Sequence, residues 1–192
     1  MAGLGNPGPE YEFTYHNLGF LAVDRLADSA GIRVSRPECK ALVGAGRVAG
    51  QNVLLAKPQT FMNLSGGSIG PLLEKYMLPP DRLILVYDEL AIDWGSLRIK
   101  WKGSAGGHNG VSSVIRSVGS DNFIRVRLGI RPDHPMKDMK DYVLSRIRKV
   151  QTETLDQTLG QSVLAVESII TEGVEKAMTK FNRRAQGANE EQ

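Results

Sequence analysis

The sequence predicts an α/β fold: a single domain with a mixed, mostly parallel β-sheet flanked by helices. Three observations carry this reading. Apolar segments of strand length alternate with segments of helical spacing along the chain. One strand segment, Leu83–Tyr87 (Leu-Ile-Leu-Val-Tyr), is apolar throughout, as a strand covered on both faces is. The chain has 192 residues, of which 41% are hydrophobic and 23% charged, enough for one packed core and too apolar for disorder.

The elements follow in order. Leu18, Leu21, Val23, Leu26 and Ala30 mark an amphipathic helix that starts after His16 and stops near Gly31. Ala41–Val48 and Val53–Ala56 are β-compatible, and Lys57-Pro58 ends the second. Ile69, Leu72, Leu73, Tyr76 and Met77 describe a second helix, closed by Pro79-Pro80. After the Leu83–Tyr87 strand comes a short helix over Val111–Val118. A further strand over Phe123–Ile130 follows, with Arg125 and Arg127 on one face. From Val150 to Phe181 the apolar spacing is helical again, with Gly160 and Gly173 as candidate break points. Residues 1–184 are expected to form the domain and residues 185–192 a polar, frayed tail. Ligands of such folds bind at the carboxyl ends of the strands. Pro58–Gly67 and Asp88–Glu89 lie at such ends.

Composition excludes several classes. The net charge of +3 is too small for a polycation, although it leaves room for a local basic patch. A single cysteine, Cys39, excludes an internal disulfide framework and fits a reducing compartment, hence a cytoplasmic protein. No apolar run reaches the ~18 residues of a membrane span, and no signal-peptide pattern opens the chain.

Two short patterns match known motifs but lack the context those motifs need. Gly3-Leu4-Gly5-Asn6-Pro7-Gly8 spells the dinucleotide fingerprint, with Asp24 at the distance of a ribose-binding acid. Only Met1 and Ala2 precede it, and Pro7-Gly8-Pro9 reads as a turn rather than a helix start. Gly66-Gly67-Ser68-Ile69-Gly70 spells a nucleophile elbow, and Ser68, Asp88 and His108 follow hydrolase order. Eleven residues, Pro58 among them, separate Ser68 from the strand ending near Ala56, so Ser65 as a helix N-cap is the better reading. A serine esterase using Ser68 stays open as an alternative.

Asparagines and histidines also stand in sharp turn settings: Asn6, His16-Asn17, Asn63 and His108-Asn109. Singly each is an ordinary turn residue or cap. Within longer segments they resemble a known family. Gly3–Gly8 with Tyr11 and His16-Asn17 is similar to the opening of the bacterial-type peptidyl-tRNA hydrolases. Lys57–Gly66, Asp88-Glu89-Leu90 and Gly103–Gly110 resemble that family's other signatures, in the same order and across nearly the whole chain. The resemblance implies hydrolysis of the ester joining a peptide to the terminal ribose of tRNA. It implies His16 as the general base, Asp88 as its partner, and Asn6 as the residue that selects blocked substrates. It places Tyr11, Phe61, Asn63 and Asn109 around the peptide end, and Lys100 and Arg127 at the tRNA's terminal phosphate. It also implies a monomer working without cofactor or metal, with peptidyl-tRNA as the partner.

The residue chemistry is consistent with this. An ester needs no covalent nucleophile when one positioned base activates water, and histidine suits that work near neutrality. Asparagine amides donate and accept without charge, which fits a substrate of arbitrary peptide sequence, and Asn63 or Asn6 could donate to the oxyanion. His16, His108 and His134 show no metal-ligand spacing. Between Trp94 and Arg131 lie Arg98, Lys100, Lys102, Arg116, Arg125, Arg127 and Arg131 against Asp121 alone, a window of +6 that leaves −3 elsewhere. Such a stripe fits sequence-independent phosphate contacts. Ala91 stands where the family usually carries an aspartate, and Asp93 is a candidate substitute. A non-catalytic RNA-binding relative, like the chloroplast splicing proteins similar to this family, is the other alternative.

Overall fold

The computed structural model describes residues 1–133 and 138–182. His134, expected in a loop, and the expected tail lie outside the described residues. Seven strands form one sheet: β1 (Ala2–Gly3), β2 (Arg36–Glu38), β3 (Ala41–Val48), β4 (Gln51–Pro58), β5 (Ile84–Asp93), β6 (Leu97–Lys100) and β7 (Ile124–Arg131). Their order is β2-β3-β4-β1-β5-β7-β6. The central four, β4-β1-β5-β7, are parallel, while β3 and β2 on one side and β6 on the other are antiparallel additions.

Helices cover both faces of the sheet. α1 (Leu18–Ala30), α5 (Thr152–Glu172) and α6 (Val174–Phe181) share a core with Ile84, Val86, Val126 and Leu128. α2 (Gly66–Lys75) and α3 (Asn109–Val118) share the opposite core with Leu85, Tyr87, Ala2 and Leu4. The unbroken apolar run of β5 is thereby explained: alternate side chains feed alternate cores. A short α4 (Met139–Leu144) bridges the last strand to α5. Gly173, at φ 87°, separates α5 from α6, whereas Gly160 stays inside α5.

β1 has only two residues, yet it is the centre of the sheet. It is held by backbone pairing on both sides, and α1 lies directly against it. A Cβ on Gly3 would sit 2.0 Å from the Gly19 carbonyl oxygen, and one on Gly19 would sit 2.4 Å from the backbone of Leu4 and Val86. A Cβ on Gly5 would strike the Phe20 ring at 2.6 Å. The first two glycines of the fingerprint-like run therefore serve helix packing. Asp24, the candidate ribose acid, instead holds Lys57 Nζ at 2.5 Å.

Candidate active site

The site grows from the unequal lengths of the central strands. β1 pairs with β5 only as far as Val86, where the Leu4 N–H donates to the Val86 carbonyl at 2.9 Å. β5 runs on, so Asp88 lies within the strand, past the end of its neighbour, rather than just after the strand's carboxyl end as expected. The two-residue β1 thus opens a gap at the carboxyl edge of the sheet. His16 enters this gap from a single 3₁₀ turn, Tyr15–Asn17, that leads into α1.

Asp88 is 2% exposed and bridges two imidazoles. His16 Nδ1 lies 3.0 Å from its Oδ1 and 2.9 Å from its Oδ2, and His108 Nε2 lies 3.0 Å from Oδ1. The tautomers follow from the partners. His108 caps α3, its Nδ1 accepting the Val111 N–H at 3.3 Å, so its proton sits on Nε2 and is donated to Asp88. His16 likewise donates Nδ1–H, which leaves a lone pair on Nε2. Burial pushes the Asp88 carboxyl up, but the two histidines and their N–H donors outweigh it and hold the carboxyl well below the usual range. His108 was part of the sequence constellation without an assigned role. Its contact with Asp88 spans 20 residues and has no local sequence signal.

The same three groups are the only cluster of potential metal ligands found among the described residues. They do not make a preformed cage. His16 Nδ1 and His108 Nε2 sit at hydrogen-bond distance from the carboxylate, and His108 Nδ1 is already engaged by a backbone amide.

Asn6 is 6% exposed and is gripped on three sides. Asn17, itself buried, accepts the Asn6 N–H at 2.8 Å and donates to the Asn6 carbonyl at 2.9 Å. The Met62 N–H donates to Asn6 Oδ1 at 2.8 Å. With its Oδ1 accepting from Met62, the Asn6 side chain has its Nδ2 donors left for a further partner. Asn63 is the exposed residue next to Met62, in the turn Met62–Leu64, and Asn109 is the exposed first residue of α3, next to His108. These segments meet at Gly110. A Cβ there would lie 2.4 Å from Met62 Sδ, 2.9 Å from Leu4 Cδ1 and 3.2 Å from His108 Cε1. All three asparagines therefore stand within two residues of one close-packed junction. Tyr11 is half-buried in the turn before His16, and Phe61 is 57% exposed beside Met62.

The basic window divides. Arg98 is half-buried, while Lys100 and Lys102 are exposed, on β6 and just after it. Arg125 does not belong to that surface. It is 1% exposed, donates to the carbonyls of Gly103, Ser104 and Asp121, and lies 4.6 Å over the Phe123 ring. Arg127, on the same strand face, is 15% exposed and faces Glu89 at 3.4 Å. The alternation correctly put both arginines on one face, but that face is interior at Arg125. Asp93 does not replace the missing acid at Ala91, because it is exposed and paired with Arg131 at 2.6 Å.

Ser68 is fully buried in α2 with its hydroxyl unpartnered, and both oxygens of Asp88 are taken by histidines. This overturns the serine-esterase alternative, since a nucleophile must be reachable. Ser65 does precede α2, but its hydroxyl donates back to the Met62 carbonyl rather than accepting from the helix.

A family model described as Peptidyl-tRNA hydrolase matches residues 1–190. The peptidyl-tRNA hydrolase of Solibacter usitatus is 55% identical over 192 residues, covering 100% of this chain and 98% of the relative. That of Koribacter versatilis is 48% identical, covering 96% and 92%. Among solved structures, the peptidyl-tRNA hydrolase of Acinetobacter baumannii superposes with a TM-score of 0.88 at 33% identity, covering 95% of this chain and 93% of that one.

Proposed function

The chain belongs to the peptidyl-tRNA hydrolase family, and from that premise we propose how its residues divide the work. The enzyme hydrolyses the ester between peptide and tRNA in peptidyl-tRNA and so returns free tRNA to translation. His16 Nε2 takes a proton from water, and the oxygen attacks the ester carbonyl carbon. Asp88 holds His16 in the productive tautomer and stabilises the imidazolium as it forms. The Nδ2 of Asn6 donates to the substrate, either to the carbonyl of the blocked amino group or to the developing oxyanion. When the tetrahedral intermediate collapses, the ribose oxygen leaves and takes the proton back from His16.

The observation that carries this reading is the Asp88 carboxylate shared by His16 and His108, which leaves one imidazole nitrogen of His16 unprotonated. Asn63 and Asn109 complete the peptide side with Tyr11 and Phe61, and Lys100 and Arg127 approach the terminal phosphate. Arg127 would exchange its contact with Glu89 for that phosphate. Residues 1–184 act as one domain, a monomer in the cytoplasm that uses neither metal nor cofactor.

The test is release of N-acetyl-amino acid from an N-blocked aminoacyl-tRNA. His16→Ala should lower kcat by ~10²–10⁴. Undiminished turnover would remove His16 as the base. A wild-type protein that binds tRNA without releasing the acid would restore the RNA-binding alternative.

A further inference from the structure

β6 ends one residue too early for its own pattern. Along Arg98-Ile99-Lys100-Trp101, strand alternation puts Ile99 and Trp101 on the same covered face. Ile99 is buried completely, but the strand stops at Lys100, and Trp101 turns out to be 45% exposed. Its indole covers no core, and its surroundings are cationic. Lys102 Nζ lies 4.4 Å from the ring centroid, and Lys100 and Arg98 precede it. Among the described residues none of these three cations pairs with a carboxylate, in contrast to Arg127 and Arg131 in the same window.

The position is also anchored to the site. Two residues beyond Trp101, the Gly103 and Ser104 carbonyls are held by the buried Arg125 guanidinium, and the same loop then runs to His108 and Asn109. An exposed aromatic among cations, on the loop that leads to His108 and Asn109, has the makings of a single-stranded nucleic acid platform.

We propose that Trp101 is a base-stacking subsite for an unpaired nucleotide of the tRNA's single-stranded 3′ end, with Lys102 taking the adjoining phosphate. The inference rests on the hydrolase reading and extends it to a residue that reading does not use. Lys102 leaves the ring when the base arrives. An exposed cation–π contact is weaker than base–aromatic stacking, and the ammonium regains a full charge partner in the phosphate. The stacking is indifferent to base identity, as an enzyme acting on many tRNAs requires.

The protein has two tryptophans, and Trp94 packs edge-to-face on Tyr15 with ring centroids 5.4 Å apart. A Trp94→Phe background therefore keeps an aromatic ring there and leaves Trp101 as the sole indole. Titrated with deacylated tRNA, its emission should be quenched in step with binding followed by anisotropy of labelled tRNA. Trp101→Leu should raise KM for N-acetyl-aminoacyl-tRNA about 5- to 150-fold with kcat unchanged. Trp101→Phe should recover most of the loss. A KM within twofold of wild type in Trp101→Leu, or unquenched emission at saturating tRNA, overturns the proposal. Quenching without ester cleavage by the wild type would uphold stacking and overturn the hydrolase reading beneath it.

Discussion

Replacing Asp88 with asparagine changes one atom's hydrogen-bonding sense, and the surrounding contacts dictate how the site must respond. Oδ1 accepts from His108 Nε2 at 3.0 Å, while Oδ2 faces only His16 Nδ1, at 2.9 Å. An asparagine keeps one acceptor oxygen, at the Oδ1 position 3.0 Å from both rings, but puts an NH₂ where Oδ2 faced the His16 Nδ1–H. His108 is not free to yield, because its Nδ1 already accepts the Val111 N–H and cannot also carry a proton. The amide therefore turns its NH₂ toward His16. His16 can accept that bond only by moving its proton to Nε2, the nitrogen that must receive the proton of water. The side chain's shape is preserved while the base is switched off. Loss of general base catalysis is worth ~10²–10⁴ in kcat, or ~2.7–5.4 kcal/mol of transition-state stabilisation. KM should change little, since Asp88 is buried and touches histidines rather than substrate. The assay is release of labelled N-acetyl-amino acid under saturating and single-turnover conditions, with a melting curve to show that the variant is folded. An Asp88→Asn enzyme within fivefold of wild-type kcat would refute the tautomer argument.

Three further outcomes follow from the same contacts. His108→Ala removes one of the two donors to Asp88 and the cap of α3, so kcat should fall about 10- to 100-fold and stability by ~1 kcal/mol, read from turnover and urea melts. Arg125→Leu leaves the Gly103, Ser104 and Asp121 carbonyls without their donor, and should cost ~2–4 kcal/mol in urea unfolding while raising KM for tRNA. Acid should destabilise the protein through Asp88. Its carboxyl binds a proton less readily folded than unfolded, so its contribution is complete above the unfolded value of ~3.9 and disappears as pH falls toward the lower native value. Unfolding midpoints across pH 2–5 should accordingly slope less in Asp88→Asn than in wild type.

Much of the architecture was legible because it rests on local periodicity. Ala41–Val48 is the strand β3 as expected, and the α1 pattern ends where Gly31 adopts φ 64° as the left-handed cap. Other elements carry too little pattern to be read. β1 has two residues, too few for an alternation, and its strand character comes from partners more than 50 residues away. β5 extends through polar positions to Asp93, where pairing with β7 continues despite an irregular register after Glu89. An apolar run marks burial, so it stops at Tyr87 even though the backbone ladder does not.

For the site, the family resemblance in motif order pointed to His16, Asp88 and the three asparagines as candidates. Long-range geometry assigned what each group is bonded to. The second imidazole on Asp88, the Met62 N–H that fixes the Asn6 amide oxygen, and the burial of Arg125 beneath the glycine loop are contacts between distant segments. The net charge of +3 conceals a +6 window, and the fold splits that window again into interior, paired and open cations. Composition and spacing specify the chemistry a chain can carry. Whether a given arginine meets water, a carboxylate or three carbonyls depends on which strands become neighbours, and chain folding alone sets that.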